Sequence, residues 1–469
     1  MVLNPVCPRP SGCRLKRHLV LALPGIWILA LACCTAWAAE LPDPLRLEDV
    51  PRIAREQRAE VTAAQARARA AAQRPAIVSA LEDPMFSPSI DHYPYEMMEG
   101  EEGGGRRYDW SLAVEQRFPL SGILGHRRRS AEAEAAQLRA ETGRVTLDVE
   151  LDAVTAFFML LERRRMAEVL DRQLELARQF VTATAARYAG GAGSQADILR
   201  AEVEVARLDA ARQALAAEAR AAEAMLNAAL NRPAEVPVPP LAPPILDAIA
   251  PPEEAVRRQA LDRRPELRAG KAEVERARSE VEVMRAMYLP MGMVRIGQAS
   301  TMAEGRGAML MAGVSIPLWR ERLRAGVGEA LAMEDMARAD WQAMQRMIEG
   351  EAAAARNQVV AARTRLLAFR DEVVPRAQSA VTPTLANYAA GQGSLTAVIE
   401  AAQALWSAQG ELVMAETGLG LAWARMDRAT GAWEQEAPAR RVDPPVLLPL
   451  PSPETPPSPD DDDEEDEES

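Results

Sequence analysis

Tyr188-Ala189-Gly190-Gly191-Ala192-Gly193-Ser194 returns as Tyr388-Ala389-Ala390-Gly391-Gln392-Gly393-Ser394, and five of the seven residues are the same at a displacement of 200. Self-similarity at a fixed interval marks a repeat architecture. It continues past the heptapeptide: Ile198 and Ala201 stand opposite Val398 and Ala401, and Asn231 falls beside Gly431. Upstream, Phe118-Pro119-Leu120 pairs with Ile316-Pro317-Leu318 at a displacement of 198. The reading is a first repeat over 45–231 and a second over 253–431, joined by a proline-rich linker at 232–252.

The order inside each repeat is the same. A helix comes first, Arg46 to Gln73 or Glu253 to Met287. A region of strand character follows, then a very long helix that runs to the glycine-rich turn, then a second long helix. From His126 to Tyr188 there is no proline and one glycine, Gly143. At about 1.5 Å per residue this helix spans about 95 Å. Its counterpart, Glu321 to Tyr388, carries Pro375 and Pro383, so kinks are expected there. Alanine dominates these stretches, which points to close coiled-coil-like packing. Gly190, Gly191 and Gly193, and Gly391 and Gly393, are expected to supply the positive backbone angles of the turns.

The strand regions include Ser111 to Phe118, which partly alternates, and Ala308 to Ile316, which is mostly apolar. Each is about the 9–11 residues of a tilted membrane strand. Tyr93, Tyr95, Tyr108 and Trp110 flank the first pair, and Tyr288 and Trp319 the second, as interfacial aromatics would. The other reading is a half-buried soluble hairpin. Four strands per chain cannot close a barrel, so spanning requires several chains to share one.

The 469 residues carry 55 Lys+Arg against 68 Asp+Glu, a net charge of −13, which argues against a nucleic-acid partner. Nine of the excess acids form one run, Asp460 to Glu468, at the end of a proline-rich tail (432–469) whose composition reads as disordered. The four cysteines, Cys7, Cys13, Cys33 and Cys34, lie in a leader with a basic cluster, an apolar run from Leu19 to Ala32, and small residues at Ala36 and Ala38. This reads as a signal peptide over 1–38; an uncleaved membrane anchor and acylation at Cys33 are the other readings. Beyond the leader only His92 and His126 remain, and there is no phosphate loop or nucleophile elbow, so neither an enzyme nor a bound cofactor is expected.

On the duplication, the two Tyr-x-x-Gly turns, the following Asp197-Ile198-Leu199 and Val398-Ile399-Glu400, and Arg264-Pro265-Glu266-Leu267, the chain resembles the TolC family of outer-membrane efflux channels over about residues 45–431. Glu115-Gln116-Arg117-Phe118-Pro119-Leu120-Ser121-Gly122 resembles the heavy-metal or cation efflux branch, although the lysine that branch carries after the glycine is missing. The resemblance implies a mainly α fold with a small β part: a long helical-hairpin α-barrel plus a transmembrane β-barrel completed by trimerisation. It implies a homotrimer in outer-membrane lipid with a periplasmic extension. Function would be passive conduction, with an inner-membrane transporter supplying energy and a periplasmic adaptor linking the two. A periplasmic coiled-coil adaptor or scaffold is the alternative.

By the same resemblance Glu400 is a pore-lining carboxylate near the tips, while the second such position falls at Ala397. Asp197 matches a tip aspartate whose arginine partner would fall at Gly393, so the inter-repeat ion pair is expected to be absent. Three copies of Glu400 around a narrow pore would favour cations; an exposed helix glutamate is the plain alternative. Seven of the 20 methionines crowd into residues 284–311. Met291, Met293, Met309 and Met311 are candidate soft-metal contacts, or else side chains that fill an apolar surface or face lipid.

Overall fold

The structure, a computed structural model, describes residues 41–91, 108–244, 249–301 and 305–432. The leader with Cys33, the tail beyond Ala432, His92, Tyr93, Tyr95 and Met302 lie outside the described residues.

The first half opens with α1 (Asp49–Gln57), α2 (Ala59–Ala71) and α3 (Arg74–Val78). Strands β1 (Met85–Asp91) and β2 (Asp109–Pro119) follow, then helices α4 (Ile123–Ala189) and α5 (Gln195–Ala229). The second half repeats the order with α6 (Glu253–Arg263), α7 (Pro265–Ala286), β3 (Met291–Thr301), β4 (Gly305–Ser315), α8 (Arg320–Ala368), α9 (Val374–Ala389) and α10 (Leu395–Thr430). The chain is mostly helical with one small sheet. At 67 residues, α4 runs about 100 Å.

Two expected helices divide. The one read from Arg46 to Gln73 breaks at Arg58 (φ −68°, ψ 128°), and the one from Glu253 at Arg264 (φ −59°, ψ 122°). Pro265 explains the second break, because a residue before proline is driven to extended angles. The first has no proline. There Arg58 forks onto Glu60 at 2.7 and 2.9 Å, as Arg264 forks onto Glu266 at 2.9 Å through both nitrogens. The kink expected near Pro375 takes the form of a π-helical turn, Phe369–Val373, between α8 and α9. The wider turn accommodates a residue with no N–H to offer and a ring that crowds the preceding carbonyl.

The linker is strapped down over 238–242. Leu45 and Leu241 form a parallel bridge, and Val238 is buried. Arg164 donates to the Pro239 carbonyl at 2.7 Å and the Val238 carbonyl at 2.9 Å.

The halves interlock through their helices. Phe157 and Phe158, packed edge to face at 5.6 Å, are fully buried in a core built from α1, α4 and the end of α5, which Ala424 of α10 also enters. Gly420 lies where a β-carbon would fall 2.2 Å from the Phe158 ring, so α10 crosses α4 without a side chain at that point. Likewise, a β-carbon on Gly143 would meet Pro265 at 3.2 Å, where α7 begins against α4. A second core is built on α6, α8 and α10, around Ile348, Val359, Leu419 and Trp423. Toward the tips a third gathers Leu170, Leu174, Ala177 and Phe180 of α4 with Leu208 of α5 and Val398, Ala402 and Trp406 of α10. The three-and-four spacing of these residues is that of a coiled-coil seam.

Candidate functional site

The four strands form one antiparallel sheet in chain order, β1-β2-β3-β4. Successive side chains alternate between its two faces, and the register separates them by chemistry. One face carries Phe86, Ile90, Leu112, Val114, Ile296, Leu310 and Val314, all exposed, with Gln116 and Gln298 among them and Ser300 and Arg306 at the end far from the helices. The other carries Ser87, Ser89, Ser111, Glu115, Arg117 and Arg295, interspersed with glycine and methionine. Glu115 pairs with Arg117 at 3.0 Å, and Arg295 donates to Ser87 Oγ at 3.4 Å. Met291, Met293, Met309 and Met311 all stand on this second face, away from the apolar one. Trp110 and Tyr108 lie at the end of the sheet far from the helices, and Tyr288 and Trp319 at the end where the helices join. Both outer strands, β1 and β4, keep one edge unpaired among the described residues.

At the other end of the helices the two turns share one construction. Gly191 (φ +73°) and Gly391 (φ +78°) take left-handed angles, and their N–H groups return to the Tyr188 and Tyr388 carbonyls at 3.0 and 3.1 Å. Gly190 is not left-handed, and Gly193 and Gly393 have another purpose than the one expected. A β-carbon on Gly193 would press on the Tyr188 backbone nitrogen at 3.0 Å, and one on Gly393 on that of Tyr388 at 3.3 Å. They allow the chain to pass close over the preceding helix end. Ser194 and Ser394 then cap α5 and α10, accepting from the N–H groups of Asp197 (3.2 Å) and Ala397 (3.3 Å). Their identity in both repeats, three residues before Asp197 and Ala397, is the usual N-cap signal. Gly391→Ala is therefore expected to cost about 1 kcal/mol from the left-handed angle. Faster amide exchange confined to residues around 386–397 would show it; unchanged exchange there would count against this turn geometry.

Between the two tips the contact across the repeats is made by Arg187 on Tyr388. Its guanidinium lies 4.4 Å from the centroid of the Tyr388 ring, donates to the Tyr388 carbonyl, and reaches the Ala192 carbonyl at 3.2 Å. Tyr388 is buried while its counterpart Tyr188 is half exposed. Burial pushes the Tyr388 phenol up, against the pull of Arg187 and with the help of Asp197. Asp197 is 3.8 Å from Arg200, whose guanidinium also donates to Thr396 Oγ1 at 3.3 Å. Gln403 donates to Glu204 at 3.0 Å. These side chains link the start of α5 to the start of α10, and Asp197 and Glu400 lie at the same end of the helices, with Glu400 exposed.

A third constellation escaped the sequence reading. Arg264, forked on Glu266, also donates to the Ala429 carbonyl at 3.3 Å and to Glu351 at 3.0 Å. Arg58 repeats the contact on the Ala229 carbonyl at 3.4 Å. Each arginine ties the start of its half to the last turn of that half's final helix. In the second half the cluster continues: Arg428 bridges Glu266 and Asp148 at 2.7 Å each, and Asp148 meets Arg144 at 2.6 Å. Burial works to raise the Glu266 carboxyl, but its hydrogen bonds from Arg264 and the charges of Arg428 and Arg264 outweigh it and hold it below the ordinary range. The signal was present in the sequence as Arg58-Ala59-Glu60 against Arg264-Pro265-Glu266.

Among the described residues no cluster of His, Cys, Asp or Glu is placed to hold a metal ion, and no helix is long and apolar enough to cross a membrane. Both halves match the family described as Outer membrane efflux protein, over residues 50–232 and 256–432. The chain belongs to that family. Its place is the outer membrane, with a periplasmic helical extension. It is 25% identical over 289 residues to the cobalt-zinc-cadmium resistance protein CzcC of Cupriavidus metallidurans, covering 60% of this chain and 68% of that protein. Its fold matches CusC with a TM-score of 0.72 at 13% identity, over 82% of this chain and 91% of that one. The open state of the MtrE outer membrane channel of Neisseria gonorrhoeae matches with a TM-score of 0.69 at 17% identity, over 87% and 93% of the two chains. Family membership favours the channel over the adaptor or scaffold.

Proposed function

We propose that this chain is a passive outer-membrane duct, that three copies close one twelve-strand barrel over a twelve-helix tunnel, and that the duct is the outer part of a tripartite pump. The observation that carries the reading is the sheet: two unpaired edges, one exposed apolar face, and one polar and methionine-bearing face. An apolar face suits lipid and a polar one a water-filled lumen, and edges unsatisfied in a bilayer must be paired by neighbouring copies. The tips, Tyr188 to Ser194 and Tyr388 to Ser394, are the surface for a periplasmic adaptor, and an inner-membrane transporter supplies the energy. Small solutes, metal cations among them, are the cargo; the likeness to a cobalt-zinc-cadmium resistance protein supports that class.

The test is conductance. Purified full-length protein in planar bilayers is expected to form stable channels that prefer cations. Glu400→Gln, which keeps size and removes three charges per trimer, is expected to lower cation-over-anion selectivity by a factor of about two or more at low salt. Absence of any conductance would overturn the duct. Unchanged reversal potentials in the variant would place Glu400 outside the pore.

A further inference from the structure

The register of β3 and β4 places the four methionines of one sheet face in successive rows. Moving outward from the helix end, Met291 stands beside Ser315, Met293 beside Gly313, Met311 beside Arg295, and Met309 beside Gly297. Each row therefore holds one methionine from this strand pair, and the third row is joined across the sheet, through Arg295 and Glu115, by Met85. Rows on one face are two residues apart, so the rungs are spaced about 7 Å and the four span about 20 Å. Two of the in-register neighbours are glycines, which leave the thioethers room; a β-carbon on Gly313 would fall 2.9 Å from Met293 Cε. Met293 and Met311 are diagonal neighbours, with β-carbons about 7 Å apart and within joint reach of long side chains.

We propose that this row of thioethers is a contact line for a soft monovalent cation, Cu(I) or Ag(I), along the barrel wall. The inference rests on the duct reading above and names a cargo class for it. Thioether sulfur selects soft ions, and one or two sulfurs per rung bind loosely enough for an ion to pass on to the next. The same face carries Arg295 in the third row and Arg117 in the second, the latter 3.0 Å from Glu115. On an apolar packing role alone, methionines would be expected on the face with Phe86, Leu112, Ile296 and Leu310; instead they occupy the face with Glu115, Arg117 and Arg295.

Full-length protein with Met291, Met293, Met309 and Met311 all changed to leucine keeps side-chain volume and loses the sulfurs. In planar bilayers with nitrate salts, silver ion is expected to reduce the parent conductance reversibly. In the variant the concentration for half-block is expected to rise at least about tenfold, the loss of a coordinating set, while the effect of zinc ion stays the same. Equal silver sensitivity in parent and variant channels overturns the proposal and leaves the duct standing. If neither protein conducts, the duct fails, and equilibrium dialysis of silver ion against the detergent-solubilised proteins decides the contact line by itself: more silver retained by the parent supports it, equal retention overturns it. Should the fourfold variant not assemble, Met293→Leu with Met311→Leu, the diagonal pair, is read by the same dialysis with the same two outcomes.

Discussion

Gly420→Ala is expected to lower stability by about 3 kcal/mol, a large effect for one methyl group, because overpacking a filled site forces neighbours off their rotamers. The methyl would fall 2.2 Å from the Phe158 ring, and Phe158 is 1% exposed, with Phe157 edge-on beside it. Neither helix can yield easily, since α10 also seats Trp423 and Leu419 in the core it forms with α8. Thermal unfolding followed by far-ultraviolet circular dichroism measures the loss. Adding Phe158→Leu should restore most of it; a single variant that melts with the parent would show that α4 and α10 do not meet here.

Arg264→Met is expected to cost about 3–5 kcal/mol, the range for removing one partner of a buried ion pair, whereas Arg58→Met should cost about 1 kcal/mol or less. Both arginines fork on the glutamate two residues ahead and reach a carbonyl of their half's last helix, but Arg264 adds Glu351, and Arg264 and Glu266 have side chains 5% and 9% exposed, against 16% and 55% for Arg58 and Glu60. The pH dependence carries a sign. Glu266 is held below its ordinary value of 4.5, so its contribution is complete above that pH and is lost as pH falls through the lower folded-state value. Glu266→Gln should flatten that acid limb of the stability curve. Equal costs for the two arginine variants would contradict the difference in burial.

The hairpins could be read from the sequence because a duplicated turn between alanine-rich, proline-poor stretches leaves few alternatives. The π turn before Pro375 was half legible, since proline announces a fault in a helix but not its form. The break at Arg58 was hidden because no proline marks it, and the arginine that forks onto Glu60 there also reaches a carbonyl 171 residues away, a contact that belongs to the tertiary structure. Gly193 and Gly393 were assigned the wrong use because a glycine required for close approach looks the same in sequence as one required for a positive angle. The methionines illustrate the larger limit. Their identity suggested soft-ligand chemistry, but their face depends on register, and β4 is too uniformly apolar for alternation to reveal it.

The interlocking of the two halves bears on the order in which the chain can acquire its structure. The first half presents Phe158 to Gly420, Gly143 to Pro265, Ser130 to Glu280 at 2.5 Å, and Asp148 to Arg428. Every one of those partners lies beyond the linker, and the contacts with Gly420 and Arg428 close only when α10 arrives. A chain that emerges from its N-terminal end therefore leaves the part of α4 that meets α7 and α10 uncovered, in places for more than two hundred further residues. Contacts so distant in sequence close slowly, and exposed apolar faces during that interval invite association with the wrong partner. The duplication that made the architecture easy to recognise does not make each half a self-sufficient unit. Commitment to the native structure has to wait for nearly the whole polypeptide, and the interval before it is where a holding chaperone would matter most.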